Sequence, residues 1–405
     1  MNLLFDLFTT QETALTRVHG GGVYGQAFFA ELCAANFWKQ NGIRLSVVTR
    51  AGAALPDSVQ QAVQAHADEV VAVDSHAGIL KAAAEKSPDV LYTPVPYWLA
   101  HHRDQCAGLS VPIKGTVHGI RTVGGTDDPL SLQYQRNPLK RLYQRLIRVP
   151  KRAFARRKRD DSEAVLRALT GGMLTVSLHS KYQIIAEFPF VTPEQVSVVY
   201  SIDQPLTSAQ PDPLPDSVVQ PLANRPYFLL LNANRPVKNA LRVIVALERY
   251  RPPALEAYAF VCVGFSSAQR DYIRRAYPLA HRQIVHVPYC ERSVLDSLFA
   301  HAYALVFPSK NEGFGYPPLE AMRVGTPAVC SAATAIPETC ADAVLYFQPT
   351  SNAEIINRLL QIVSESELRA NLIRRGTERY QRYASLRAEQ VKRFGAFLLS
   401  PPPAR

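Results

Sequence analysis

The 405-residue sequence contains no apolar run approaching the ~18 residues that a membrane-spanning helix needs. Its six cysteines, at positions 33, 106, 262, 290, 330 and 340, form no C-x-x-C pair. That argues against a zinc ribbon or a disulfide-stapled fold and suits reduced thiols in a cytosol. The opening residues, MNLLFDLFTTQE, carry no basic leader and break their apolar run with Asp6, so they do not read as a secretory signal. The glycine run HGGGVYG is not read as a dinucleotide fingerprint. An apolar content of 47% with 20% charged residues excludes low-complexity disorder and collagen, and the length predicts two or three domains of ~100–200 residues.

What is present is first a charge asymmetry. The net charge is +11, yet Arg136–Arg159 alone carries eleven basic residues and no acid. Without that segment the net charge is zero. The protein is a neutral globule with one basic belt, which predicts a localised anionic partner. Leu139, Leu142, Tyr143, Leu146 and Ile147 fall at helical spacing within it, with cations on the other faces. Such a stretch suits an anionic membrane surface or a lipid-diphosphate acceptor, and a core-packed helix with a solvated basic face is the plain alternative. Nucleic acid is the weakest partner, because no recognition motif is present and few aromatics interleave the charges.

Residues 1–204 alternate short continuous apolar runs (LLFDLF, RLSVVT, EVVAV, DVLYTPV, IKGTVHG, MLTVS, QVSVVY) with helical patterns such as Tyr24–Asn36 and Ser58–His66. Buried strands separated by helices indicate a parallel sheet covered on both faces. Six prolines within 205–226 mark a linker. The alternation restarts at Tyr227 with YFLLLNA, AFVCVGF, QIVHVPY, ALVFPS, TPAVCS and AVLYF, and the chain closes on helices at about 352–382 and 386–399. The expected fold is α/β, two Rossmann-like doubly wound domains facing each other across a cleft. The boundaries read 1–204, a linker at 205–226, a second domain at 227–385 and a terminal helix at 386–405. Open α/β sheets bind ligands beyond the carboxyl ends of their strands, so the loops there carry the candidate chemistry.

Four such loops stand out. Pro308–Met322, PSKNEGFGYPPLEAM, places Gly313 and Gly315 ahead of a helix with Pro317 and Pro318 in its first turn and Gly325 beyond its end. Loop amides on a helix N-terminus attract negative charge. Glu312 and Glu320 flank the loop, and carboxylates are tolerable there when they accept hydrogen bonds from ligand hydroxyls. A sugar nucleotide offers both phosphates and hydroxyls. Asn232–Ala240, NANRPVKNA, sets Arg235 and Lys238 at a strand-to-helix turn, where cations neutralise a diphosphate. His19–Gly25, HGGGVYG, reads as a glycine loop between the first strand and first helix, and it equally fits a plain flexible loop. His118 ends a strand in GTVHGIRTVGG, followed by Arg121, and a lone histidine is more often structural.

The strings NEGFGYPPLEAM, AIPETCADAVLYF, RPVKN and VSLHSKYQIIAEF resemble glycosyltransferase family 4, whose members have the two-Rossmann GT-B fold. The resemblance spans the chain from the glycine loop to about Pro349 and is most specific in the second half. It implies that Glu312, with the backbone of Gly313, Phe314 and Gly315, binds donor-sugar hydroxyls near the reacting carbon. Glu320 then holds the nucleotide ribose, and Leu319 beside it belongs to the same donor-binding set. Arg235 and Lys238 bind the diphosphate, His118 lies beside the donor sugar, and Gly21 and Gly22 pack on the phosphate or acceptor side. It further implies retention of anomeric configuration with no cofactor and no essential metal, and the sequence contains no D-x-D to chelate a metal–diphosphate. One departure stands in the second loop: the family's glycine-led G-R pattern is replaced by Asn232-Ala233-Asn234. The expected partners are a nucleotide sugar donor and a glycan or lipid-linked acceptor, at the cytoplasmic face of a membrane. A sugar-phosphate synthase or nucleotide-sugar epimerase of the same architecture is the alternative.

Overall fold

The computed structural model describes residues 1–12, 20–120, 149–203, 206 and 212–403, and the side chains of these except at 149–155. The chain divides into two compact units. One is built from Met1–Thr122, Phe154–Gln204 and Leu386–Arg405, and the other contains Pro205–Ser385.

The first unit holds seven parallel strands: β1 (Asn2–Asp6), β2 (Arg44–Arg50), β3 (Glu69–Val73), β4 (Val90–Thr93), β5 (Ile113–Val117), β6 (Gly172–Thr175) and β7 (Val196–Val198). Their order is β3-β2-β1-β4-β5-β6-β7. The second unit holds six: β8 (Tyr227–Leu230), β9 (Ala259–Val263), β10 (Ile284–Val287), β11 (Ala304–Phe307), β12 (Ala328–Ser331) and β13 (Val344–Phe347), in the order β10-β9-β8-β11-β12-β13. Both sheets are Rossmann-like, with the first strand central and the order reversing beside it. Each apolar run read as a strand is one. Central strands such as β4, β9 and β12 are buried at every residue because helices cover both faces. β3 departs from that expectation: as an edge strand it is nowhere fully buried, and Val70 is half exposed.

The helices differ from the sequence reading in three places. The triple glycine is no loop, because helix Gly20–Ala34 begins inside it. Gly21 and Gly22 are buried in its first turn, where close packing offsets the low helical propensity of glycine. The stretch 205–226 contains helix Asp216–Leu222, entered through Pro215 and with Asp216 in its first turn. The pattern at 352–382 is two helices, Asn352–Ser364 and Ser366–Ser385, separated at Glu365 with φ −114° and ψ 88°.

The final helix, Arg387–Leu399, completes the core of the first unit. Phe394 is fully buried, stacked on Phe28 at 4.6 Å and edge-on to Tyr24 and Tyr92. Burial of such a ring contributes roughly 1.5–3 kcal/mol. Arg387 bonds Glu31 (2.6 Å) and Asp203 (2.9 Å) at the helix start. At its end the buried Lys114 ammonium donates to the carbonyls of Phe397 (2.5 Å), Leu398 (3.0 Å) and Ser400 (2.6 Å), satisfying groups that a helix C-terminus leaves open. No helix among the described residues is long and apolar enough to cross a membrane.

Candidate active site

In the second unit, the loops at the carboxyl ends of β8 and β11 meet. Asn232, which stands where the family pattern leads with glycine, has φ 51°. Asparagine is among the few residues that tolerate this left-handed conformation, so the backbone path survives the departure. A short 3-10 turn, Pro236–Lys238, follows, and Asn239 (φ 60°) opens helix Ala240–Tyr250. The buried Asn239 amide donates to the carbonyls of Pro308 (3.1 Å) and Pro349 (2.8 Å). The Lys310 N–H donates to Val237 O at 2.8 Å. These bonds staple the turn carrying Lys238 to the segment carrying Glu312.

The result is an ion pair between residues 74 apart in sequence. Lys238 Nζ lies 2.6 Å from Glu312 Oε1, with side chains 11% and 14% exposed. The ammonium also sits 5.3 Å from the Phe307 ring centroid, within cation–π range. Arg235 is half-buried at the start of the turn, its N–H donating to Asn232 O at 3.1 Å.

Beyond Glu312 the chain turns through Gly315 at φ 108° into helix Tyr316–Arg323. Glycine is required by that angle rather than by space, since an added Cβ would meet nothing closer than Ile336 Cγ1 at 3.8 Å. Pro317 and Pro318 have no N–H and suit this first turn, whose amides lack intrahelical partners in any case. Phe314 is buried, its ring 5.7 Å from Tyr383 and its carbonyl accepting from Thr339 Oγ1 at 2.6 Å. Leu319 is buried, so its side chain belongs to the core.

Glu320, one helical face further on, is paired with Arg292. Arg292 Nη2 lies 2.7 Å from Asp296, and Arg323 lies 3.2 Å from the same carboxylate. Burial acts to lower the Arg292 pKa, but Glu320 and Asp296 outweigh it and hold it above its ordinary value. Arg292 and Asp296 escaped the sequence reading. Their four-residue spacing on one helix was visible, but the partner Glu320 lies 28 residues away.

In the first unit, His118 packs directly on the first turn of helix Gly20–Ala34. Its Nε2 lies 2.8 Å from Pro94 O. A carbonyl only accepts, so Nε2 carries the proton and in the neutral ring Nδ1 is the acceptor. Tyr24 meets the imidazole edge-on at 5.1 Å. Gly21 is the residue beneath the ring, and Gly22 is buried beside it. Arg121 and most of Arg136–Arg159 lie outside the described residues. Of the belt, Arg156, Arg157 and Arg159 are described and exposed on helix Val149–Ala168. Among the described residues no group of three or more His, Cys, Asp or Glu forms a candidate metal set.

Residues 217–379, which carry Lys238, Glu312 and Glu320, match the sequence model of glycosyl transferases group 1. The match covers 163 of the 405 residues. O-antigen chain mannosyltransferase B of Escherichia coli is 28% identical over 215 residues, covering 52% of this chain and 56% of that protein. O-antigen chain mannosyltransferase RfbU of Salmonella typhimurium strain LT2 is 27% identical over 183 residues, 44% of this chain and 46% of that protein. The chain thus spans about half the length of these curated relatives. Among solved structures, sucrose-phosphate synthase from Thermosynechococcus elongatus superposes with a TM-score of 0.65 at 15% identity, over 98% of each chain. WaaG, a glycosyltransferase involved in lipopolysaccharide biosynthesis, gives 0.60 at 17% identity, over 98% of this chain and 100% of that one. The fold shared with these structures is GT-B, as the resemblance implied.

Proposed function

We propose that the protein is a retaining, metal-independent glycosyltransferase of family 4. In this reading it moves a sugar, mannose first among the candidates, from a nucleoside diphosphate to a hydroxyl of a glycan or lipid-linked acceptor in cell-surface polysaccharide or lipopolysaccharide synthesis. The observation that carries the reading is the Lys238–Glu312 pair beside the Gly315 turn, inside the segment that matches the family. The mannosyltransferase relatives favour mannose.

As the glycosidic bond breaks, negative charge grows on the diphosphate oxygen. Lys238, Arg235 and the Gly313–Gly315 amides stabilise that charge, and because they are held in place they lower the barrier more than they favour the ground state. Glu312 accepts hydrogen bonds from donor-sugar hydroxyls and Glu320 from the ribose. His118 lies beside the donor sugar, with Gly21 and Gly22 on the phosphate or acceptor side. The leaving oxygen takes the acceptor proton as the acceptor hydroxyl attacks the oxocarbenium-like carbon from the same face. Neutralisation by these cations and amides needs no metal step.

The basic belt is assigned to an anionic lipid surface at the cytoplasmic face, where each nearby cation contributes ~1 kcal/mol. Liposome flotation at rising salt, against a charge-reversed belt, tests that partner.

For the reaction, a thermal-shift screen of nucleotide sugars identifies the donor, since ligand at 100 times its dissociation constant adds ~2.7 kcal/mol. Transfer is then assayed in Lys238→Ala, expected to be slower by ~10²–10³. A loss below fivefold removes Lys238 from the site.

A further inference from the structure

Nine non-glycine residues among those described have positive φ, and Thr334, at φ 50°, is the β-branched one. A branched Cβ crowds the carbonyl in this conformation, so threonine is a poor choice for it. Strain of this kind persists where the surroundings impose it, and it concentrates at functional sites.

The contacts of Thr334 show what the strain accomplishes. The Glu312 N–H donates to Thr334 Oγ1 at 2.8 Å, and the same hydroxyl donates to Glu312 O at 3.0 Å. One hydroxyl therefore closes on both polar groups of Glu312's main chain, using its acceptor and its donor at once. Glu312 sits in an irregular loop, beside Gly313, with no ladder to fix its peptides. Its carboxylate is held at the other end by Lys238. Glycine or asparagine would adopt φ 50° at lower cost, but glycine has no hydroxyl. Five residues on, the same segment holds the neighbouring peptide, through Thr339 Oγ1 on Phe314 O.

We propose that Thr334 is a positioning residue for donor-sugar recognition: it accepts an unfavourable backbone conformation so that its hydroxyl can lock the main chain of Glu312. The inference rests on the reading of Glu312 as the residue that grips the donor sugar. A turn that merely needs a left-handed residue would be served as well or better by glycine, and the two roles separate on that substitution.

The test compares Thr334→Gly, Thr334→Ser and Thr334→Val with wild type and Glu312→Gln. Calorimetric titration with GDP-mannose and GDP, and with UDP-glucose and UDP, gives the preference for sugar nucleotide over bare nucleotide. Urea melts give stability. Thr334→Gly is expected to be at least as stable as wild type yet to lose that preference tenfold or more. Thr334→Ser, which keeps the hydroxyl, is expected to hold it within threefold, and Thr334→Val to lose it. If Thr334→Gly keeps the preference within threefold while Glu312→Gln loses it, the clamp is overturned and the donor reading stands. If Glu312→Gln also keeps it, or wild type binds neither sugar nucleotide, the donor reading falls and the clamp with it.

Discussion

The imidazole of His118 occupies the space that a side chain on Gly21 would need. A Cβ there would lie 2.9 Å from His118 Cδ2, 3.0 Å from its Nε2 and 3.3 Å from Val95 Cγ2. The ring cannot simply retreat, because Nε2 is bonded to Pro94 O and Tyr24 meets its face. Gly21→Ala is therefore expected to slow sugar transfer by roughly tenfold to a hundredfold through misplacement of His118, and to cost about 1–3 kcal/mol of stability. Gly20 is the control: a Cβ there meets nothing within 4 Å among the described residues. Gly20→Ala should raise stability by roughly 0.5–1 kcal/mol and leave the rate intact. Rates and denaturant melts of the pair decide the point, and equal behaviour of the two alanines would contradict it.

Arg292 is the partner of Glu320 and shares Asp296 with Arg323. Arg292→Met leaves Glu320, only 17% exposed, without its cation. Stability should fall by about 1–3 kcal/mol, the usual cost of stripping a hydrogen-bonded charge of its partner. Asp296 keeps Arg323, so Arg323→Met combined with Arg292→Met should cost more than the two single losses added. Strict additivity in a double-mutant cycle would show that the four groups do not act as a network.

Ala341 closes helix Ile336–Cys340 at φ 49° and ψ −125°, a conformation that glycine adopts and alanine resists. Its carbonyl accepts from Tyr346 OH at 2.6 Å, which fixes the turn. Ala341→Gly should relieve about 1–3 kcal/mol of strain and forfeit roughly 0.5–1 kcal/mol of chain entropy. A net gain is expected in urea melts. A loss of stability would show the backbone to be relaxed.

Asp6 is fully buried, and burial raises its pKa from 3.8 to about 6 against the bonds from Thr93 and Thr9 that lower it. The folded protein thus holds a proton that the unfolded chain releases between pH 3.8 and about 6. Across that window the contribution of Asp6 to stability declines as pH rises, by up to roughly 3 kcal/mol. His76 acts in the opposite sense, since burial lowers its pKa to about 4 and stability gained from it rises up to pH 6.5. The test is therefore the difference between wild type and Asp6→Asn, melted in urea from pH 4 to 7. The wild type should lose ground to the variant up to about pH 6 and then run parallel. A flat difference would refute the shift.

The strands were legible because a two-sided sheet demands unbroken apolar runs such as FVCV or ALVF, bounded by turn residues. Lys238, Glu312 and Glu320 were legible as types at strand ends. Their partners were not. Nothing in the sequence couples Arg292 to Glu320, Thr334 to Glu312, or Lys114 to the carbonyls at 397–400, because these are contacts of tertiary structure between distant segments. The triple glycine misled for a related reason. Glycine disfavours helix locally, yet Gly20, Gly21 and Gly22 are helical, and at Gly21 His118 leaves no room for a side chain.

The last helix of the chain supplies Phe394 and the carbonyls that Lys114 grips, yet it belongs to the unit that contains the first strand. The unit that contains β1 is therefore completed only after the second unit has been made. On the ribosome, the middle of the chain can close its own sheet while the earlier-made half waits, with the aromatic socket around Phe28 open. A newly made protein cut short before Leu386 would carry a sound second unit beside an unfinished first one, a natural target for quality control.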